Sequence, residues 1–540
     1  MHVEALLTAV ILLSAPALVV PPSAPGAEGR SAAAARRIAA HGFGDHRNSY
    51  AWSAAWFKGS LYVGTARSAL CVEGATLAYW FPGGGFYRRD PAPGVRCPSS
   101  IHRADLRAEV WRYTPGRRWR RVYRSPRTVT DRLAPGGRIA RDVGYRGMVV
   151  RREGRRRVLY VAAVGPGEFL PGTARRSPPR LLRSTDGRHF LPVVAPVPVI
   201  RTPVGPQRPI GYRSLQVAGG RLYVTASAGL TGDGVVLRVD RPDSRQARLR
   251  QVSPPSLAVF ELARFAGRLY AGTGDTEQGY GVYRAARRPD QGGWTPVVTD
   301  GAGRGGAIAS VISMAPFKGR LYVGASGWHQ GTLPASELIR LDRRGGWQVV
   351  VGAARTDAAG VARAPLSGLS DGFGNPYNTH FWRMSVSDGT LYLGTNDASW
   401  SVPELAAEAG FDLYGSCDGR SWWTATRDGF GDGLDFGVRT LTPSPAGLFL
   451  GTTNHVQGTT VLRVPDRRCG PRAAAAGTPS PAARAVPAPH DLPAPQASCG
   501  MPLPWATGTV RPDRRSQAAN PALARSVNGA TEGACRRSDG

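Results

Sequence analysis

Short apolar runs alternate with glycine-marked turns along most of the chain, and one phrase keeps returning. Gly59–Thr65 (GSLYVGT) recurs as Gly267–Thr273 (GRLYAGT), Gly319–Ala325 (GRLYVGA) and Gly389–Thr395 (GTLYLGT). Shorter copies stand at Val158–Val161, Gly220–Val224 and Gly447–Thr452. Seven copies spaced about 50 to 70 residues apart match the period of repeated β-sheet units.

Each copy predicts a hairpin. An apolar run such as Val311–Phe317 reaches a Lys-Gly, Gly-Gly, Ala-Gly or Asp-Gly turn, where glycine takes the positive φ of tight hairpins, and Leu-Tyr-Val-Gly-Thr follows at once. Two further strands complete the unit, as in Glu337–Leu341 with Trp347–Val350 and Glu109–Arg112 with Trp119. Four strands per unit without a helical pattern predict an all-β, seven-bladed β-propeller of four-stranded antiparallel blades over residues 35–468. The last unit has only three strands. Arg37–Asp45 repeats the strand and exit loop of Trp423–Asp432, so an N-terminal strand is expected to complete the last blade and close the ring.

Ser184–Phe190 (STDGRHF) and Ser416–Trp422 (SCDGRSW) are similar to Asp boxes. With the hairpin and Tyr/Trp pattern, they make the chain resemble secreted bacterial seven-bladed propellers of the Kelch/Asp-box type. That resemblance implies a fold and leaves function to the site.

The ends differ in character. Ala5–Val20 is apolar and small residues follow, so residues 1–27 read as a signal peptide, with a signal anchor as the alternative. Residues 469–540, rich in Ala, Pro and Arg, read as a disordered tail. Six cysteines in an exported chain suggest disulfides. Cys71 and Cys97 bracket one insertion and are expected to pair, whereas Cys417, Cys469, Cys499 and Cys535 leave three pairings open.

Composition adds a formal charge of +31, from 69 Lys+Arg against 38 Asp+Glu, and only Lys58 and Lys318 are lysines. Arg117–Arg121 and Arg151–Arg157 predict a cationic patch suited to anionic wall polymers or membrane headgroups, or else a solvated face. No nucleic-acid reading element accompanies the charge.

Candidate chemistry gathers at one end of the blades. Three blade-to-blade loops share F-G-[DN]-x-x-[DN]: Phe43–Asn48, Phe373–Asn378 and Phe430–Asp435. Their Asp45, Asn48, Asn375, Asn378, Asp432 and Asp435, with Asp397, are candidate Ca²⁺ ligands, because Ca²⁺ takes oxygen donors from loops. The same residue types also form Asx-turns that order a backbone without any ligand. A few residues further on, each first strand presents Trp52, Arg146, Arg213, Phe260, Ile312, Trp382 or Arg439 to the expected channel mouth. Arginine grips anions and tryptophan stacks on flat ligands, so Trp52, Arg146, Arg213, Trp382, Arg439, His380 and His455 are the candidate ligand-binding set. The three arginines with Asp-box-like turns also resemble sialidases, which implies a Tyr/Glu pair and an acidic donor; Glu337, Glu404 and Glu408 are the nearest glutamates in plausible regions, and no motif ties one of them to a tyrosine. The expectation is a monomeric, secreted or envelope-associated, non-catalytic binder of a carbohydrate-like or anionic ligand, with Ca²⁺ as its only cofactor. A propeller hydrolase or lyase acting on an anionic glycan is one alternative, and an envelope scaffold using the arginine face is another. Membrane contact is expected only if the signal segment is retained.

Overall fold

A computed structural model describes residues 35–465 and Cys469, apart from short segments at 81–82, 171–172, 174–176, 204, 229–233, 290–292, 328–333, 402–404 and 406–408. The expected signal segment, the tail beyond Cys469, Cys499, Cys535, Glu404 and Glu408 lie outside these residues.

The chain is all-β, built from consecutive antiparallel units with the expected strand order. In the first, Asn48–Phe57, Ser60–Arg67, Glu109–Tyr113 and Arg120–Arg124 pair in sequence. Later units open on first strands at Gly144–Glu153, Gly211–Ala218, Val259–Phe265, Ser310–Phe317, Asn378–Ser387 and Gly437–Thr442. Every first strand packs on the first strand of the next unit, and the last packs on Asn48–Phe57. The N-terminal strand Arg36–Ala39 pairs antiparallel with Val461–Val464. Deleting residues 35–42 is expected to uncover that edge and lower the melting temperature of the whole body; unchanged melting would contradict this role.

Hairpin turns form as the sequence dictates. At Lys318-Gly319 both residues take positive φ, 43° and 73°, the signature of a type I′ turn. The glycine inside Leu-Tyr-Val-Gly-Thr has another cause, which is the closeness of the next unit. A Cβ on Gly394 would lie 2.4 Å from Val438 Cβ, and one on Gly451 would lie 2.6 Å from Ala51 Cβ. The repeated tyrosines Tyr62, Tyr160, Tyr223, Tyr270, Tyr322 and Tyr392, with Phe449, are buried in apolar clusters.

Turn residues alone miss three short two-stranded hairpins, Arg127–Thr130 with Arg138–Ala140, Ile200–Thr202 with Gly205–Gln207 and Arg355–Thr356 with Ala362–Arg363, and one helix. Between the second and third strands of the first unit, Ala69–Trp80 is a helix, favoured by its Ala, Leu and Glu content and tied down by the Cys71–Cys97 disulfide. Cys417 pairs with Cys469, one of the combinations left open. No helix among the described residues is long and apolar enough to cross a membrane.

Candidate functional site

Strand register explains how the axial residues are presented. Each first strand carries a bulge against its second strand, and the residue skipped by the ladder belongs to the set read from sequence. The skipped positions are Trp52 between Ala51 and Ser53, Arg146 between Tyr145 and Gly147, and Arg213 between Tyr212 and Leu215. Phe260, Ile312, Trp382 and Arg439 occupy the same irregularity in the other four units. A bulge re-aims a side chain, so the ring of axial residues is a repeated local distortion.

These side chains meet in pairs around the ring. The guanidinium of Arg146 lies 4.9 Å above the Trp52 ring, Arg213 lies 4.7 Å above Phe260, and Arg439 lies 5.0 Å above Trp382. Ile312 packs with Trp382 and Phe436. Glycine makes room for both indoles: a Cβ on Gly144 would sit 2.0 Å from Trp52, and one on Gly437 would sit 2.3 Å from Trp382.

Charge is concentrated with little to balance it. Arg439 is only 4% exposed, and its buried Nε has no hydrogen-bond partner among the described residues. Arg383 joins the cluster from the position after Trp382, and its Nε is likewise buried and unpartnered. Burial, followed by the neighbouring arginines, pushes the Arg213 and Arg439 pKa values well below the ordinary value. Glu261 is the nearest acid; it accepts a 2.6 Å hydrogen bond from Ser214 Oγ and lies 3.9 Å from Arg383 Nη1.

Beside the arginines stands an aromatic wall. Tyr50 lies among Trp52, Trp382, Phe436 and His455, with ring centroids 5.4 to 6.3 Å away. Burial and then the charge of Glu73, on the helix Ala69–Trp80, raise the Tyr50 pKa. His380 is buried, with Nδ1 at 2.9 Å from Thr379 Oγ1, and burial followed by Arg439 and Arg213 lowers its pKa to about 3. His455 stacks on Phe436 and packs at a tilt against Trp400, and burial lowers its pKa to about 3 as well. Both imidazoles are therefore neutral at pH 7.

The loop residues do not converge on one point. Asp45 is ion-paired with Arg47 and Arg67, at 2.8 and 2.7 Å. Asn48 Nδ2 donates to Gly42 O and to Glu109 Oε2, which fixes its own loop. Asp432 pairs with Arg37 at 3.1 Å. Asp435 accepts from Thr452 Oγ1 and Asn454 Nδ2. Only Asn375, Asn378 and Asp397 come together, around the buried Asp412. Among the described residues no group of three or more His, Cys, Asp or Glu side chains is placed to hold a metal.

Buried acids at or just before the third strands escape a reading based on apolar periodicity. Glu109, Glu337 and Asp412 are each at most 1% exposed and precede Val110, Leu338 and Leu413. Glu337 is held by Arg355 and Arg304 and by the Tyr280 hydroxyl, so it is a structural ion pair and lies apart from the axial cluster. An acid immediately ahead of an apolar strand is the signal that marks all three.

Asp435 gives a pH prediction. Burial, then Asp432, pushes its pKa up to about 7. An acid whose pKa is higher when folded binds more protons in the native state, so stability falls as pH rises from about 4 to about 7. The melting temperature is expected to decline across that window, and Asp435→Asn is expected to flatten the decline. Parallel profiles for the two proteins would contradict it.

The arginine runs are exposed but partly used by the fold. Arg121 pairs with Glu109, and Arg151 pairs with Glu153 while donating to Gly220 O.

No protein-family model and no curated protein matches the chain. Solved structures do. An ancestral GH74 enzyme matches at 10% identity with a TM-score of 0.43, over 78% of this chain and 48% of its own, so this chain spans about half its length. A GH43 β-1,3-galactosidase with galactodeoxynojirimycin matches at 12% identity and a TM-score of 0.31, over 58% of this chain and 93% of its own. A GH43 arabinoxylan arabinofuranohydrolase from Bacillus subtilis matches at 14% identity and a TM-score of 0.31, over 79% and 94%. The expectation of a non-catalytic binder is corrected on this finding, since the matched structures are glycoside hydrolases. Likeness at this level assigns no activity, and the catalytic alternative has to be argued from the site.

Proposed function

We propose that this chain is a secreted, seven-bladed β-propeller enzyme, closed by its N-terminal strand, that cleaves a glycan bearing an anionic group. The observation that carries this reading is Arg439: a guanidinium 4% exposed, stacked on Trp382, whose buried Nε lacks a partner and whose neighbours Arg383 and Arg146 repel it. An uncompensated buried charge is costly, and a substrate carboxylate or sulfate would supply the missing counter-charge through charge-assisted hydrogen bonds.

The surrounding residues fit the rest of the task. Trp52, Tyr50 and Trp382 offer apolar ring faces for a sugar. Glu73 and Glu261 are the carboxylates whose charge reaches the cluster, Glu73 on Tyr50 and Glu261 on Arg213 and Arg439. Glycoside cleavage generally needs two such groups, and a tyrosine hydroxyl relieved of its proton by a glutamate is an alternative nucleophile. In this reading Tyr50 Oη bonds to the anomeric carbon as the glycosidic C–O bond breaks, Glu73 takes the tyrosine proton and Glu261 gives a proton to the departing oxygen; water then cleaves the tyrosyl–sugar bond, Glu261 taking a proton from the water and Glu73 returning one to Tyr50.

Two disulfides and an apolar N-terminal run support export. The test is turnover on paired glycosides that differ only in a carboxylate, such as uronides against neutral hexosides. Cleavage confined to the acidic member is expected, and failure to cleave any acidic glycoside would contradict the reading.

A further inference from the structure

One buried contact is built twice in this chain and differs in the charges around it. In the first unit Asn48 Nδ2 donates to Gly42 O at 2.9 Å and to Glu109 Oε2 at 3.0 Å. Arg67, which is fully buried, donates from Nη1 to Asn48 Oδ1 at 3.0 Å and lies 3.7 Å from Glu109 Oε1. In the unit opened by Asn378–Ser387, Asn378 Nδ2 donates to Gly372 O at 2.9 Å and to Asp412 Oδ2 at 2.7 Å. The ladder pairs Asn48 with Arg67, and it pairs Asn378 with Asp397. A carboxylate therefore stands where the first unit has its cation.

The consequence is visible in the hydrogen bonds. Asn378 Oδ1, which corresponds to the atom that Arg67 satisfies in the first unit, is buried without a hydrogen-bond partner among the described residues, and so is Asp412 Oδ1; both residues have no exposed surface. Asn375 Nδ2 bridges Asp397 Oδ2 at 2.9 Å and Asp412 Oδ2 at 3.3 Å, which holds the two acids side by side. The other face of Asp397 accepts from Ser399 N and Oγ, and Asp412 Oδ2 also accepts from Tyr414. Two other buried acids do have an arginine: Glu337 has Arg355 at 2.8 Å and Asp142 has Arg180 at 2.6 Å. Among the described residues neither Asp397 nor Asp412 makes an ion pair.

We propose that a Ca²⁺ ion binds between Asp397, Asp412 and Asn378 and does for this unit what Arg67 does for the first. Two carboxylates match one divalent charge, and the unpartnered carboxylate and amide oxygens are hard donors. An irregular set of side-chain oxygens suits the flexible coordination of Ca²⁺ better than the strict octahedron of Mg²⁺.

The experiment uses the full chain, stripped with chelator and titrated with CaCl₂ at pH 7.5. One Ca²⁺ per chain is expected by equilibrium dialysis, with a rise in melting temperature of about 3 °C or more at saturation and a smaller rise with MgCl₂. Asp412→Asn and Asp397→Asn are each expected to abolish the calcium shift, whereas Asp45→Asn in the first unit retains it. Absence of binding to the unmodified chain would overturn the proposal, even if a variant failed to fold. Binding that survives both unit-specific substitutions would overturn it too.

Discussion

Replacing Arg67 with methionine is expected to cost about 3–5 kcal/mol of stability, the usual penalty for removing one member of a buried ionic network. The side chain is fully buried and makes four separate connections. Nε donates to Asp105 O at 2.9 Å, Nη1 to Asn48 Oδ1 at 3.0 Å and Nη2 to Asp45 Oδ2 at 2.7 Å, while Glu109 lies 3.7 Å away. Methionine fills similar volume, so the loss isolates charge and hydrogen bonding from packing. Glu109 retains Arg121 and Arg124, which bounds the damage. The effect is read as a lower urea midpoint at unchanged slope. A change below about 1 kcal/mol would mean that the network is not what holds the first unit to its insertion.

Arg439 should behave in the opposite sense. Arg439→Met removes a buried, unpartnered charge that Arg383 and Arg146 repel, and it leaves an apolar side chain on Trp382. The free protein is therefore expected to melt at a higher temperature, as replacement of uncompensated buried charge by apolar side chains often stabilises. Activity on acidic glycosides should fall about 30-fold or more, the cost of losing a buried charge-assisted contact. A gain in stability coupled to a loss of activity marks a residue kept for function. A fall in both would make Arg439 a structural residue.

The two sites differ in how far the sequence reveals them. Leu-Tyr-Val-Gly-Thr and its turns predict the inner hairpin of each unit, because glycine geometry and alternation are local properties. The axial set from Trp52 to Arg439 is also readable, since it recurs at a fixed distance from each loop. Arg383 is not. Strict alternation turns it away from the channel beside Trp382, and only the register shift between His380 and Arg383 explains how it joins the other arginines. Glu73, whose charge reaches Tyr50, stands on a helix that turn residues do not announce. The shared F-G-[DN]-x-x-[DN] phrase invites one metal centre, yet its residues serve separate networks because each loop binds its own unit first. Telling the arginine-filled copy from the acidic one requires knowing that Arg67 and Asp397 occupy equivalent ladder positions.

The proposed function puts recognition and cleavage of an acidic glycan at the axial arginines. The most direct test is kcat/KM on a matched pair of glycosides, one carrying a carboxylate and one neutral, for the unmodified chain and for Arg439→Met. The account predicts preference for the acidic member in the unmodified chain and collapse of that preference in the variant. Equal turnover of both members, or a preference that Arg439→Met leaves intact, would contradict it.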